Sequence, residues 1–247
     1  YYALQPKGWC VYHCFDCNIS SEFFSPIIPR NYRETSYPVA VWEFEISNPA
    51  EEPAELAIML TWPNPPFSGG SRVRTGFTSQ ACEQSGVLGI VLKASHPHNP
   101  AETQNSEWCI ATVKADDLIV SFTSWDRSKS GHDIWRQFAD DGVLSDSISP
   151  LDSAAALAVK CRLLPGTDIV VPIVISWDFP VVEFGGGCTV GGDEYAEEQG
   201  TQWWKRYCEY FDTLSDNSFE IAVEAAGKGP FPSVAETIDA DAGRYLG

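Results

Sequence analysis

The sequence predicts a mainly β fold, an antiparallel β-sandwich with a short helical segment towards its C-terminus. Short runs of alternating apolar and polar residues recur along the chain, and this is the period of a half-buried strand. Turn residues separate the runs, and helical periods are confined to a few short segments. The 247 residues, 44% of them hydrophobic, are enough to fill one large β core.

The clearest strands flank a turn at residues 48–53. Alternate residues of 40–46 and of 56–62 are apolar, and two prolines in the turn each remove a ladder donor and fix φ. We therefore expect a β-hairpin with one apolar and one acidic face. Trp42 and Trp62 fall on the apolar face and are expected in the core.

Two further pairs of strands follow the same pattern. Residues 108–113 and 118–123 alternate around two aspartates and are expected to form a second hairpin. Residues 154–163 and 169–177 form a third pair around the turn at 165–168.

The other β segments are shorter or interrupted. Residues 1–9 are interpreted as one aromatic strand or half of one, and residues 87–92 as a short apolar strand. Pro172 places its strand at a sheet edge or at a bulge, because proline cannot donate to a ladder. Residues 63–76 contain three prolines and three glycines and are predicted to be a loop.

Two short helices are predicted from spacing and caps. Apolar residues at 134–138 have helical spacing, and Gly142 follows as a C-terminal signal. A second helix begins at Asn217, with Glu220 at the capping-box position, and runs to Gly227.

A third helical period begins after a break at residues 185–200, which contain six glycines. Trp203, Trp204 and Tyr207 lie near one face of the helix expected there. Two bulky rings in this position are typical of an anchor on another domain. These three residues and Arg206 are the predicted domain-interface residues.

Charge and composition exclude several classes of function. A net charge of −18 repels phosphate backbones, so nucleic acid is not an expected partner. No apolar run approaches the roughly 20 residues that a transmembrane helix needs. The chain begins with Tyr1 and without a signal-peptide pattern, so we interpret it as a fragment or a processed product. The eight cysteines are too sparse for a disulfide scaffold, and reduced thiols in a cytoplasmic protein are the expectation.

One cysteine cluster raises the question of a metal site. Cys10, Cys14 and Cys17 lie close in sequence, with His13 among them, but no second pair follows to complete four zinc ligands. A plain loop or a disulfide remains the alternative. The two histidines at 96 and 98 are interpreted as part of a surface loop. We predict neither a metal site nor a cofactor.

Paired carboxylates are the one catalytic arrangement to consider. Glu43 and Glu45 share a strand face about 6–7 Å apart, whereas a retaining glycosidase needs two carboxyls about 5–5.5 Å apart. A solvated sheet face needs such residues in any case. We therefore predict no catalytic residue in this chain.

Six segments in order carry a recognisable family pattern. They are residues 2–9 (YALQPKGW), 25–41 (SPIIPRNYRETSYPVAV), 60–62 (LTW), 135–144 (WRQFADDGVL), 174–180 (VISWDFP) and 204–226. These segments resemble the amino-terminal domain of glycoside hydrolase family 116, the bile-acid β-glucosidases or non-lysosomal glucosylceramidases.

The resemblance implies a division into domains. Residues 1–200 would be a β-sandwich, 201–228 a helical linker towards a C-terminal (α/α)6 domain that the chain lacks, and 229–247 a tail or linker. That absent domain would carry a glutamate nucleophile and an aspartate acid/base, so this chain alone is expected to be inactive. The parent enzyme would hydrolyse a β-glucoside or glucolipid. The alternative is a free-standing carbohydrate- or partner-binding sandwich.

Overall fold

The structure is a computed structural model that describes residues 2–4, 7–13, 15–27, 30–63, 77–94, 106–126, 129–149, 154–179, 181–184, 201–204 and 217–227. It is mainly antiparallel β-sheet, which confirms the predicted fold class. The larger sheet has eight strands in the spatial order β1 (Tyr2–Leu4), β2 (Lys7–Tyr12), β3 (Asn18–Phe24), β4 (Val39–Ser47), β11 (Asp168–Asp178), β8 (Ser106–Val113), β7 (Val87–Ala94) and β6 (Phe77–Gln84).

A smaller sheet and three helices complete the described fold. The smaller sheet has three strands in the order β5 (Ala54–Pro63), β10 (Ala154–Leu163) and β9 (Leu118–Trp125). A separate ribbon pairs β12 (Val181–Phe184) with β13 (Thr201–Trp204). The helices are α1 (Tyr32–Thr35), α2 (His132–Asp141) and α3 (Ser218–Gly227). None of the helices in the described part of the chain has the length and apolarity to cross a bilayer.

Apolar side chains form three layers. The central layer fills the space between the sheets, α3 covers part of the outer face of the larger sheet, and residues around α2 cover the outer face of the smaller one. Fully buried members of the central layer include Ile90, Ile110, Leu157 and Ile173. Strand β10 is therefore buried on both faces, which explains why small alanines alternate with Leu157 and Val159.

All six strands of the three predicted pairs exist, but the prediction that consecutive strands pair with each other in hairpins is wrong. β4 lies in the larger sheet and β5 in the smaller one, and the same separation holds for β8 and β9 and for β11 and β10. Each turn carries the chain across the sandwich, so the two apolar faces meet face to face. Alternation identifies the buried face of a strand but not its hydrogen-bonding neighbour.

All three crossing turns lie at one end of the sandwich. Ser47 pairs with Asp168, Ala54 with Leu163, and Leu118 with Cys161, so the turns at 48–53, 114–117 and 164–167 are neighbours. We call these three turns the turn end.

Asn48 joins two of these turns through a buried set of hydrogen bonds. Its backbone N–H donates to the Thr167 carbonyl at 2.9 Å, and its carbonyl accepts from Gly166 at 2.8 Å. The side-chain Nδ2 donates to the carbonyls of Glu52 at 2.9 Å and Leu163 at 3.3 Å, and Oδ1 accepts from Ala50. With 1% of its surface exposed, Asn48 has its own polar groups satisfied by these bonds, and it satisfies the carbonyl of buried Leu163 in turn.

Two local β predictions are also corrected. The segment read as one strand at residues 1–9 is two strands, β1 and β2, that pair with each other. Pro172 lies in a central strand rather than at an edge. Its strand pairs with β4 at this position, but the ladder with β8 begins only at Ile173, so the missing N–H costs no bond there.

Both capped helices are confirmed. α2 ends at Gly142, whose φ of 75° is left-handed and whose N–H donates to the Phe138 carbonyl at 2.8 Å. A Cβ at Gly142 would lie 2.7 Å from the Cβ of Ala57, so the close approach also requires glycine. The N-terminus of α3 is capped by Asn217, whose Oδ1 accepts from the N–H groups of Phe219 and Glu220 at 3.1 and 3.0 Å.

Replacement of Asn48 tests the interlocked turns. We expect Asn48→Ala to lower the free energy of unfolding by about 2 kcal/mol, because the buried Leu163 carbonyl loses its partner and two partly buried hydrogen bonds within the turn are lost as well. Urea denaturation measures this change. The exposed Asn18, which donates to Ser47 at 3.4 Å, supplies the control, and Asn18→Ala should stay within about 0.5 kcal/mol of the parent chain. Equal effects would show that Asn48 has no special role.

Candidate interdomain surface

Aromatic side chains close the end of the sandwich opposite the turn end. Trp62 lies near the end of β5, Trp108 near the start of β8, and Trp177 near the end of β11, with Phe179 just beyond it. The Trp108 ring centroid lies 5.5 Å from those of Trp62 and Trp177 and 5.0 Å from that of Phe179. We call these four rings the aromatic end.

The aromatic end is continuous with the core. Trp62 and Trp108 pack against the apolar layer between the sheets, which confirms the predicted core position of Trp62, and Trp42 packs there as well. The Trp108 ring meets Phe179 edge to face, at 78°. Such ring pairs add about 0.5–1.5 kcal/mol each beyond the area that they bury. The cluster therefore gives this end a rigid aromatic base.

The ribbon of β12 and β13 begins next to this base. Phe179 is two residues before Val181, and Val181 pairs with Trp204. The backbone of Trp203 and Trp204 therefore lies beside the aromatic end. The helix predicted from Gln202 is wrong for residues 202–204, which lie in strand β13. The predicted interface residues Arg206 and Tyr207 lie outside the described residues.

The helix prediction failed at residues 202–204 because tryptophan is compatible with both a helix and a strand. Two adjacent large rings fit a helical face or the two sides of a strand, and only the pairing with β12 decides between them. The role of Trp203, Trp204, Arg206 and Tyr207 at a domain interface remains a prediction.

The start of α3 is fixed by a buried acid. Glu107 has 6% of its surface exposed, and its Oε2 lies 3.4 Å from the Ser218 backbone N and 3.3 Å from the Ser218 Oγ. Its Oε1 pairs with Lys93 at 2.7 Å, and Ser176 Oγ donates to the Ser218 carbonyl. A carboxylate is favourable at a helix N-terminus, because the helix dipole is positive there.

The direction of α3 follows from its contacts. Ser218 begins over β8 and β11, whereas the Glu224 carboxylate accepts a hydrogen bond from Tyr37, which precedes β4. The helix therefore crosses the sheet from β8 towards β4. The last residue of α3, Gly227, therefore lies on the outer face of the larger sheet.

Close packing holds α3 on this face. A Cβ at Gly89 would lie 3.0 Å from the Cys109 sulfur and 3.0 Å from two ring carbons of Phe219. The absence of a side chain at Gly89 thus leaves the room in which the Phe219 ring packs. Sequence reasoning missed both Gly89 and Glu107, since each sits within an ordinary strand pattern and acquires its role only from α3.

The described cysteines are free thiols, and burial lowers the reactivity of Cys109 and Cys161. Cys10, Cys17, Cys82, Cys109 and Cys161 form no disulfide. Burial raises the pKa of the Cys109 thiol well above its ordinary value, and burial likewise raises the pKa of Cys161. A protonated thiol is a poor nucleophile and a poor metal ligand.

The described residues of the candidate metal cluster, Cys10, His13 and Cys17, do not come together as a metal site. Cys10 lies in β2, Cys17 is buried in the layer between the sheets, and His13 is exposed. Cys14 and the histidines at 96 and 98 lie outside the described residues. Within the described ranges no three His, Cys, Asp or Glu side chains group together as metal ligands would.

The candidate carboxylate pair belongs to a cross-strand network. Glu43 lies opposite Glu22 of β3, and Glu22 accepts hydrogen bonds from Lys7 and, at 2.7 Å, from the indole nitrogen of Trp9. Burial and the negative charge of Glu22 raise the pKa of Glu43, whereas Glu45 is exposed. Glu43 is thus partly buried and Glu45 exposed, and the carboxylate directly opposite Glu43 is that of Glu22.

Enlarging Gly89 tests the docking of α3. We expect Gly89→Val to lower the free energy of unfolding by about 2 kcal/mol, because its side chain overlaps Phe219 and Cys109. Hydrogen exchange should become faster in α3 than in the sheets. Ala81→Val is the control, since Ala81 is an exposed residue of the neighbouring strand β6. Unchanged exchange in α3 would contradict this account.

Glu43→Gln tests the carboxylate network through pH. Because the native pKa of Glu43 is raised, the stability that it contributes below its unfolded pKa is lost as pH rises through its native pKa. The glutamine variant should therefore be more stable than the parent at pH 7, and the difference should vanish below about pH 4. Urea denaturation at both pH values measures it. Glu45→Gln is the control and should change stability less, and an equal gain at both pH values would contradict the assignment.

The chain matches a known protein family. A family model described as beta-glucosidase 2, glycosyl-hydrolase family 116 N-term, matches residues 1–229. The match covers the described sandwich and ends two residues after α3.

Proposed function

This chain belongs to the family of glycosyl-hydrolase family 116 N-terminal domains, and on that premise we propose that it is the supporting β-sandwich of a retaining β-glucosidase. The match over residues 1–229 is the observation that carries the proposal. An N-terminal domain of a larger enzyme implies a C-terminal partner domain.

The division of labour follows from the chemistry of retaining glycosidases. Such enzymes need one carboxylate as nucleophile and one carboxylic acid that protonates the leaving group. The resemblance implies that both belong to an (α/α)6 domain beyond this chain. This chain supplies no catalytic residue in the proposal, and its role is to support that domain and the rim of its cleft.

Two features of the sandwich suit a supporting role. The aromatic end has a rigid base, and the start of α3 is tied to the sheet by Glu107 and Ser218. A linker that starts from a fixed helix limits the positions that the next domain can occupy. In the proposal Trp203, Trp204, Arg206 and Tyr207 contact that domain.

The substrate and location belong to the same proposal. The resemblance points to β-glucosides of lipid or sterol type, such as a glucosylceramide or a bile-acid glucoside. The five free thiols support a reducing, cytoplasmic compartment.

A free-standing carbohydrate-binding sandwich is the second candidate. A polar cavity beside Trp125, described below, favours it. The candidates differ in whether hydrolysis appears when the downstream sequence of the gene is joined to this chain.

Hydrolysis of an aryl β-glucoside tests the proposed function. We expect no turnover by the 247-residue chain and turnover by the longer protein that its gene encodes, because the catalytic carboxylates would lie downstream. Release of the aryl group measures it. Turnover by the short chain would contradict the proposal, as would an inactive but folded long form.

Substitutions at the ribbon test the interface. Trp203→Ala and Trp204→Ala should each destabilise the longer protein by about 2 kcal/mol, the scale of a buried aromatic anchor. In the 247-residue chain they should have little effect on thermal stability. Trp135→Ala, at a side chain that is 60% exposed on α2, is the control. Equal losses in both lengths would place the two rings in the sandwich core instead.

A further inference from the structure

A cavity lies between the end of β9, the start of α2 and residues 145–147. Its volume is about 450 Å3, and it is open to solvent on one side. Ten of its thirteen lining residues are polar, and the other three are Trp125, Gly131 and Ile134.

Hydrogen bonds fix one wall of the cavity in advance. Residues 144–149 run along β9, where Ser124 N–H donates to the Ser147 carbonyl at 3.0 Å and Thr123 Oγ1 donates to the same carbonyl at 2.9 Å. Asp146 has a left-handed φ of 52°, and its carboxylate accepts from the Phe122 N–H at 2.9 Å. The wall therefore does not have to be ordered when a ligand binds, which lowers the cost of binding.

Trp125 presents carbon surface at this site. Its indole nitrogen is fully buried, and a Cβ at Gly131 would lie 3.5 Å from the six-membered ring. Gly131, with a φ of 70°, lies beside that part of the ring, and because the indole nitrogen is buried, the surface that Trp125 offers to the cavity is carbon. An aromatic carbon surface within a polar cavity suits a ligand that has both C–H groups and hydroxyls.

The charges of the lining restrict the ligand further. Asp126 and Asp133 face the cavity together with Lys129 and His132. An anion would meet two carboxylates in a chain of net charge −18, and an apolar ligand would leave the charged groups desolvated. A neutral ligand with several hydroxyls can donate to Asp133 and accept from Lys129.

We propose that this cavity binds a neutral pyranoside, with one sugar face on the Trp125 ring and hydroxyls on Asp133 and Lys129. It is a non-catalytic sugar site within the sandwich. It stands apart from the proposed function, because it requires only residues of β9, α2 and the segment 144–149.

Titration of the 247-residue chain with methyl β-D-glucopyranoside, followed by NMR, tests the site. We expect saturable shifts of residues in α2 and in the segment 144–149. Asp133→Asn should weaken binding about tenfold, because hydrogen bonds to charged groups are the stronger ones. Trp125→Phe should weaken it as well. Asp140→Asn is the matched control, an exposed aspartate on the same helix but outside the cavity, and should bind like the parent.

Several results would overturn the proposal. They are the absence of saturable shifts, equal affinity of the parent and Asp133→Asn, and saturable binding of inorganic phosphate at this site instead of the glycoside. Asp133 is an acidic residue in the first turn of α2, and its replacement is expected to leave the fold intact, so the test does not depend on Trp125→Phe folding. Because methyl glucoside binding requires no hydrolysis, its failure is distinct from failure of the glucosidase proposal.

Discussion

The interlocking of two turns through the buried residue Asn48 is the constraint on which the sandwich depends. Three short turns join three strands of one sheet to three strands of the other. Asn48 bonds within its own turn and to the turn at 164–167. Its backbone and side chain together thereby fix the spacing of these two turns, and with it the way the two apolar faces meet.

This constraint makes the two ends of the sandwich different. Short interlocked turns occupy one end, whereas at the other the strands stop at four packed aromatic rings. The ribbon starts at that second end, and the cavity beside Trp125 opens at the end of β9. The turn end is thus occupied by short turns, whereas the aromatic end is available for contacts with other molecules. Binding surfaces on sandwiches are often carried at one end in this way.

The sequence predicted correctly those features that are determined by residues close together in the chain. The fold class, the Asn217 cap and the Gly142 terminus follow from period and capping, and all three are present. Strand pairing, the strand at Trp203 and the role of Gly89 depend on distant residues, so alternation alone left them undetermined or gave the wrong answer. The cavity needs three segments between Thr123 and Ser147 to come together, and no short motif records that.

The position of α3 in the chain has a consequence for biosynthesis. The helix follows every strand of the sandwich, and it covers Val41, Val174 and Ala111 on the outer sheet face. That apolar face remains open to water until residue 227 has left the ribosome. During this interval the nascent sandwich exposes surface on which chaperones or other chains can bind. Docking of α3 then covers this face, so folding of the sandwich is complete only once this last helix is available.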